Sequence, residues 1–181
     1  MSAPLVLPER GGVAVQLVTG PAGDDGRRTF EIFSRADEGE WVRHGSGALV
    51  AGGVTSPVVV GVWPPSGVVE VDLAGVYDRL SDAGYGYGPV FQGLGRLWRG
   101  DGGLFAEVGL AEQSRSFGVH PALLDAALHP LLPGVVEEGG RSWLPFSFAG
   151  VRVHAAGASV LRVRLSVVAD DGDSLVVSLT A

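Results

Sequence analysis

An apolar helix, predicted for the segment from His120 to His129, constrains this fold more than any other feature of the sequence. Pro121 suits the first helical position, where its missing N–H costs nothing, and the alanines and leucines that follow are strong helix formers. Elsewhere the 29 glycines and 11 prolines of the 181 residues favour turns and short strands. An apolar helix among short strands is expected to lie against a sheet that curls around it.

The N-terminal part of the chain, residues 1–50, is patterned as a three-stranded meander. Its strands, which carry alternating apolar residues and are separated by turn-forming residues, are predicted at 13–18, 29–34 and 41–50. No helical pattern accompanies them, so the apolar face of this sheet needs a partner from elsewhere. Residues 51–71 are rich in Gly, Pro and Val and are predicted to be a linker.

Residues 72–181 are predicted to form the sheet around the apolar helix. A short helix comes first, with Asp72 as its N-cap and Gly84 as its stop. Five strands are predicted at 94–99, 104–110, 146–153, 160–168 and 175–179. Strict alternation in the fourth of them places Arg162 and Arg164 on the face away from the core. That face is most simply solvated, and a docking patch for an acidic partner is the alternative.

Composition excludes several classes of function. The formal net charge is −7 and no lysine is present, which argues against a nucleic-acid surface. The absence of cysteine excludes disulfides, thiolate catalysis and cysteine-bound metal. No signal peptide or spanning segment is visible, so a soluble cytoplasmic protein without a membrane partner is expected. The glycines between Gly84 and Gly88 do not predict a phosphate loop, because no P-loop lysine exists.

The candidate chemistry lies on the apolar helix itself. Asp125 and His129 are four residues apart and would project from one helical face, about 6 Å from each other. Burial beside Leu124 and Leu128 would favour the protonated form of the carboxyl. Such an acid is either a partnered structural group or a useful proton donor.

The other histidines are assigned structural roles, and metal binding is not expected. His120 is predicted to cap the apolar helix, and His44 and His154 to be ordinary strand or turn residues. The four histidines lack metal-ligand spacing, except that Asp125 and His129 could in principle chelate.

Three segments together resemble a known family: 87–94 (YGPVFQGL), 120–129 (HPALLDAALH) and 144–151 (LPFSFAGV). They are similar, in order and spacing, to the signature segments of the dehydratase domains of modular type I polyketide synthases. The resemblance implies an α+β fold in which two hotdog folds, each a sheet wrapped around a central helix, lie side by side. On this basis residues 1–50 would be the distal strands of the first hotdog and 72–181 the second, an incomplete double hotdog.

The resemblance also implies a reaction, the loss of water from a β-hydroxyacyl thioester on an acyl carrier protein to give an α,β-unsaturated thioester. No cofactor is implied beyond the phosphopantetheine arm that carries the substrate. The expected partners are the carrier protein and other polyketide synthase domains, with a homodimer left open.

The family's site residues map onto seven positions of this sequence. Asp125 would be the general acid, because hydroxide leaves poorly unless it is protonated. His129 would orient Asp125 or the substrate hydroxyl. Tyr87 and the Gly88 backbone would place the thioester. The acyl tunnel would be lined by Leu144, Pro145 and Phe146.

The sequence departs from the family in the position of the base. The family's histidine base lies in a His-x-x-x-Gly-x-x-x-x-Pro motif, and no such run occurs here; His44, for example, is followed by Ala48. The expectation is a fragment that lacks the base and also a final strand after Ala181. Two alternatives stay open: a non-catalytic structural or acyl-binding hotdog, and an isomerase or cyclase that uses the same site.

Overall fold

The computed structural model describes residues 2–36, 39–52, 61–111, 116–136 and 143–181. Contacts divide the chain into two compact units. The first consists of Met1–Ser56 with Pro145–Arg152, and the second of Pro57–Leu144 with Val153–Ala181.

The first unit contains a three-stranded antiparallel sheet. Its strands, in the spatial order of the chain, are β1 (Ala14–Ala22), β2 (Arg28–Arg35) and β3 (Val42–Leu49). This confirms the predicted meander. Within the described part of this unit there is no helix, and Ser34 is the one buried residue.

The second unit contains a five-stranded sheet in which all neighbouring strands are antiparallel. In spatial order its strands are β4 (Val69–Glu70), β5 (Leu94–Gly100), β6 (Gly103–Gly109), β7 (Val160–Asp170) and β8 (Leu175–Thr180). The strands predicted at 94–99, 104–110, 160–168 and 175–179 are therefore confirmed. Strand β4 lies at the end of the predicted linker, where no strand is expected from the sequence.

The strand predicted at 146–153 is wrong. No strand is present between residues 143 and 152, and Pro145–Arg152 groups with the first unit. The physical reason lies in the residues that interrupt the alternation. Pro145 has no N–H for a sheet ladder, and Gly150 adopts a left-handed backbone conformation with φ of 63°.

Two short helices belong to the second unit. Helix α1 (Val76–Asp82) is preceded by Gly75 as N-cap, and not by Asp72, whose Oδ1 accepts the N–H of Ala74 at 2.9 Å in the turn before the helix. Gly84, with φ of 93°, ends this helix as predicted.

The apolar helix is shorter than predicted. Helix α2 spans Pro121–Ala126, and a 3₁₀ turn, His129–Leu131, follows it. Pro130 explains the early end, because it offers no N–H to the carbonyl of Ala126 and disfavours a helical conformation in the preceding residue. His120 caps α2 as predicted, since its Nδ1 accepts the N–H of Ala122 at 3.2 Å.

The core of the second unit lies between α2 and the sheet. Leu123 and Ala126 of α2 are fully buried, in one cluster with buried residues of α1 and of strands β5, β6 and β7. The members of that cluster from α1 and the sheet are Val76, Leu80, Leu94, Leu97, Ala106, Val108, Val163 and Leu165. A sheet packed on an apolar helix is the arrangement that the sequence predicted. Arg162 lies on the opposite face, with 58% of its side chain exposed.

Candidate active site

The centre of the candidate site is the pair formed by Asp125 and His129. Asp125 lies in the last turn of α2 and His129 begins the 3₁₀ turn that follows. Nε2 of His129 is 3.1 Å from Oδ2 of Asp125, a hydrogen-bonding distance. The two side chains therefore lie next to each other as predicted, although the helix ends earlier than predicted.

The two partners differ strongly in their exposure to solvent. The side chain of His129 is 1% exposed, whereas 37% of the Asp125 side chain remains exposed. Leu124, which is expected from the sequence to cover the carboxyl, is itself partly exposed. The dry surroundings predicted for Asp125 are thus only partly present, and the carboxyl keeps an open side from which another molecule can reach it.

His129 is held between two tyrosine rings. The ring centroids of His129 and Tyr87 are 4.3 Å apart, and those of His129 and Tyr77 are 5.8 Å apart. Burial lowers the pKa of His129 below its usual 6.5, against the opposing effect of Asp125. The ring is therefore neutral near pH 7 and carries one N–H.

Tyr77 completes a hydrogen-bonded chain that the sequence does not predict. Its hydroxyl oxygen lies 3.1 Å from Nδ1 of His129 and accepts the N–H of Leu94 at 2.8 Å. The sequence places Tyr77 in the apolar stripe of α1, where it looks like a packing residue. The signal that could have found it is chemical: a half-buried phenol normally finds a partner for its hydroxyl.

Tyr87 and Gly88 lie beside this chain of hydrogen bonds. Burial, together with the negative charge of Asp125, raises the pKa of Tyr87 to about 12, so its phenol keeps its proton at neutral pH. The side-chain amide of Gln92 donates to the carbonyl of Tyr87 at 2.9 Å and fixes the local backbone. Gly88 is exposed and caps the 3₁₀ turn Pro89–Phe91.

The three residues predicted to line an acyl tunnel are all exposed. Leu144 is 77% exposed and Phe146 is 70% exposed. Leu144 belongs to the second unit, whereas Pro145 and Phe146 belong to the first. Their assignment to a tunnel stays a prediction.

His44, in the first unit, has a structural setting. The register of β2 and β3 shifts next to it, and both of its ring nitrogens have partners. Nε2 lies 2.7 Å from Oγ of Ser34, and Nδ1 lies 3.1 Å from the carbonyl oxygen of Ala3. This agrees with its prediction as an ordinary strand residue.

Two features are absent from the described ranges, a cluster of metal-binding side chains and a membrane-spanning helix. Across these residues, no group of three or more histidine, aspartate or glutamate side chains is placed to hold a metal ion. In the same ranges, no helix combines the length and the apolar character that crossing a bilayer requires.

Comparison with known families gives a match over most of the chain. The family described as "Polyketide synthase dehydratase N-terminal domain" matches residues 57–181. Polyketide synthase GfsA of Streptomyces halstedii is 51% identical over 177 residues, which cover 92% of this chain and 2% of that protein. The chain thus corresponds to a small part of a very large relative.

Solved structures extend the match to the fold. The dehydratase domain from the terminal module of the rifamycin polyketide synthase is 43% identical, with a TM-score of 0.80, over 98% of this chain and 69% of that one. A bifunctional dehydratase-cyclase domain in ambruticin biosynthesis is 36% identical, with a TM-score of 0.83, over 98% of this chain and 65% of that one. The predicted α+β hotdog fold is confirmed.

Proposed function

The chain belongs to the polyketide synthase dehydratase family, and we propose that it carries the acid half of a dehydratase active site. The substrate would be a β-hydroxyacyl thioester on the phosphopantetheine arm of an acyl carrier protein. The observation that carries this proposal is the Asp125 carboxyl, which is held on one side by His129 and open to solvent on the other.

The proposed reaction needs two proton transfers. A base removes the proton on the α-carbon, the electron pair of that C–H bond forms the new C=C bond, and the bond between the β-carbon and its oxygen breaks. Asp125 gives its proton to the departing hydroxyl, which leaves as water. Before the next turnover the base releases the proton it removed to solvent, and the carboxylate takes one up from solvent.

The neighbouring residues suit the placement of a thioester. The ring of Tyr87 packs against His129, and its phenol keeps its proton, so the hydroxyl can donate a hydrogen bond to a substrate oxygen. Among the described residues the N–H of Gly88 has no acceptor, so it offers a second donor. The tunnel for the acyl chain is proposed to be lined by Leu144, Pro145 and Phe146.

We infer that the base comes from outside these 181 residues. Of the chain's four histidines, His129 and His44 have structural partners on both ring nitrogens, and His120 caps α2. The fourth, His154, is an exposed residue in a bend, outside the helices and strands. We keep 1–50 as distal strands of the first hotdog and 72–181 as the second, with two changes. Val69–Glu70, at the end of the predicted linker, joins the second sheet as β4, and Pro145–Arg152 groups with the first unit. The chain would work in the cytoplasm with an acyl carrier protein and neighbouring synthase domains, and a homodimer is consistent with this.

The test is a dehydration assay in two arms. The first arm supplies the 181-residue chain with a β-hydroxyacyl carrier-protein thioester. The second arm adds a segment that carries a His-x-x-x-Gly-x-x-x-x-Pro motif, either in trans or by fusion. We expect enoyl product in the second arm only, and we expect Asp125→Asn to lower its rate at least a hundredfold, the lower end of a general acid's contribution.

A matched control separates the acid role from a loss of charge. Asp78 lies exposed on α1, so Asp78→Asn should leave the dehydration rate unchanged. Full activity of Asp125→Asn would contradict the proposal. Turnover by the chain alone would contradict the inference that the base lies outside these residues, and the acid role of Asp125 would still stand.

A cyclase is the second candidate, because the similar ambruticin domain is described as a bifunctional dehydratase-cyclase. The two functions differ in their products. With a substrate that has a further hydroxyl in its acyl chain, a cyclase releases a ring, whereas a dehydratase stops at the open enoyl thioester. Binding of the acyl carrier protein without turnover in either arm would favour a non-catalytic acyl-binding module.

A further inference from the structure

We propose that Tyr77 is a positioning residue for Asp125, because its hydroxyl fixes which ring nitrogen of His129 carries the proton. The proposal deepens the proposed function and rests on it, because it takes Asp125 to be the acid. The pattern of hydrogen bonds itself can be tested without any activity.

The hydroxyl of Tyr77 can donate one hydrogen bond. Its oxygen already accepts the N–H of Leu94 at 2.8 Å, and Nδ1 of His129 is 3.1 Å away. If Tyr77 donates to Nδ1, then Nδ1 is the unprotonated nitrogen of the neutral ring and Nε2 carries the hydrogen. The Nε2–H then points at Oδ2 of Asp125, 3.1 Å away.

The opposite tautomer leaves the network incomplete. With a hydrogen on Nδ1, the hydroxyl of Tyr77 would accept from both Leu94 and His129, and its own proton would have no acceptor among the described residues. Nε2 would then be a hydrogen-bond acceptor facing Asp125, and the acidic proton of Asp125 would be engaged in a hydrogen bond to Nε2. Leaving a half-buried donor unpaired costs about 1–3 kcal/mol, which favours the first arrangement.

The tautomer matters for the acid because a carboxyl has two oxygens. When Nε2–H donates to Oδ2, the proton of Asp125 is left for Oδ1, which has no partner among the described residues. Oδ1 is then the oxygen that faces a substrate hydroxyl. Tyr77 thus acts through His129 and does not itself touch the reacting atoms.

The imidazole ring of His129 is buried, so solvent does not compete with Tyr77 in setting its tautomer. His129 is 1% exposed and packs against both tyrosines, at 4.3 Å from Tyr87 and 5.8 Å from Tyr77. Burial lowers the pKa of His129, which keeps the ring neutral and therefore limited to one N–H. The titratable groups that face it are Tyr77, Tyr87 and Asp125.

The first experiment is nitrogen NMR of the 181-residue chain with labelled histidine, with the His129 signals assigned by their loss in His129→Gln. At pH 7.5 we expect the Nε2–H tautomer in the wild type and a mixture of tautomers in Tyr77→Phe. A wild-type ring with the hydrogen on Nδ1 overturns the proposal even if Tyr77→Phe does not fold. An unchanged tautomer in folded Tyr77→Phe overturns it as well.

The matched control is Tyr85→Phe. Tyr85 stacks on Tyr87 with ring centroids 6.4 Å apart, so this variant removes a nearby phenolic hydroxyl that is not bonded to His129. We expect the tautomer of His129 to stay as in the wild type. A change as large as that in Tyr77→Phe would show that the ring responds to general loosening, and would overturn the specific role of Tyr77.

The second experiment measures dehydration in the arm that supplies the base. Tyr77→Phe should lower kcat roughly ten- to a hundredfold, by analogy with the loss of a group that orients a metal-bound histidine, with KM unchanged. A rise in KM at constant kcat would contradict the positioning role. If Asp125→Asn is fully active while the tautomer follows Tyr77, the proposed function fails and the hydrogen-bond assignment stands.

Discussion

The two sheets of this chain have the same antiparallel pairing and similar alternation, yet among the described residues only the second has a buried core. In β1 every apolar side chain is exposed, including Leu17 at 64%. In the five-stranded sheet Leu97, Ala106 and Val163 are all at 0%. The difference is α2, which packs on the second sheet, whereas the described residues of the first unit contain no helix. Alternation thus predicts a strand, but burial depends on what packs on it.

The largest effect is expected from emptying the space that α2 fills. Leu123→Ala removes a fully buried side chain of α2 and should lower the free energy of unfolding by about 2–5 kcal/mol. Chemical denaturation measures this, followed by tryptophan fluorescence, to which Trp98 contributes from a buried position with 3% exposure. Leu17→Ala in β1 is the control and should change stability by less than about 0.5 kcal/mol. Equal losses would show that the first sheet is also covered in solution.

A smaller effect is expected where backbone and helix approach closely. A Cβ added to Gly93 would lie 2.6 Å from the carbonyl oxygen of Gly109 and 3.0 Å from Cβ of Ala126. Gly93→Ala should therefore cost about 1–3 kcal/mol, the range for overpacking a core.

The control for this close approach lies in the first sheet. Gly45 of β3 has no atom within 4 Å of its added Cβ, so Gly45→Ala should leave the denaturation midpoint nearly unchanged. If Gly93→Ala proves equally harmless, α2 does not pack on the sheet as tightly as described.

Local rules were enough for most of the fold and failed at identifiable points. The alternation in β2 and β7 is a local signal, and it predicted those two strands. Strand β4 has two residues, too few to leave a period of two in the sequence. The alternating Phe146 and Phe148 imitate a strand where Pro145 and Gly150 prevent one.

The candidate site divides in the same way. Asp125 and His129 are four residues apart, and this spacing predicts their contact, which forms although α2 ends at Ala126. Tyr77 is 52 residues away from His129, and their contact follows from the packing of α1 against the rest of the second unit. The periodicity of apolar residues along the sequence cannot predict a contact between residues so far apart. Only the need of a half-buried phenol for a partner points to it.

The buried polar residues give the last way to separate the two sheets. Ser34 in the first sheet and His129 in the second unit are the buried polar side chains of the described residues, and only the histidine can take up a proton near neutral pH. Burial lowers the pKa of His129 in the folded chain, so the unfolded chain binds this proton more readily. Its contribution to stability is complete above about pH 6.5, the unfolded value, and is lost as the pH falls through the lowered folded pKa.

We therefore expect acid to weaken the wild type more than His129→Gln, in which the amide cannot titrate. The free energy of unfolding, measured by denaturant at pH 7.5 and pH 5.5, should fall further in the wild type. One proton limits the difference to about 1.4 kcal/mol per pH unit, which makes this the smallest of the three effects. If both proteins lose the same amount, the folded chain accepts the proton on His129 as easily as the unfolded chain does. The ring would then be less sheltered by Tyr77 and Tyr87 than its 1% exposure implies.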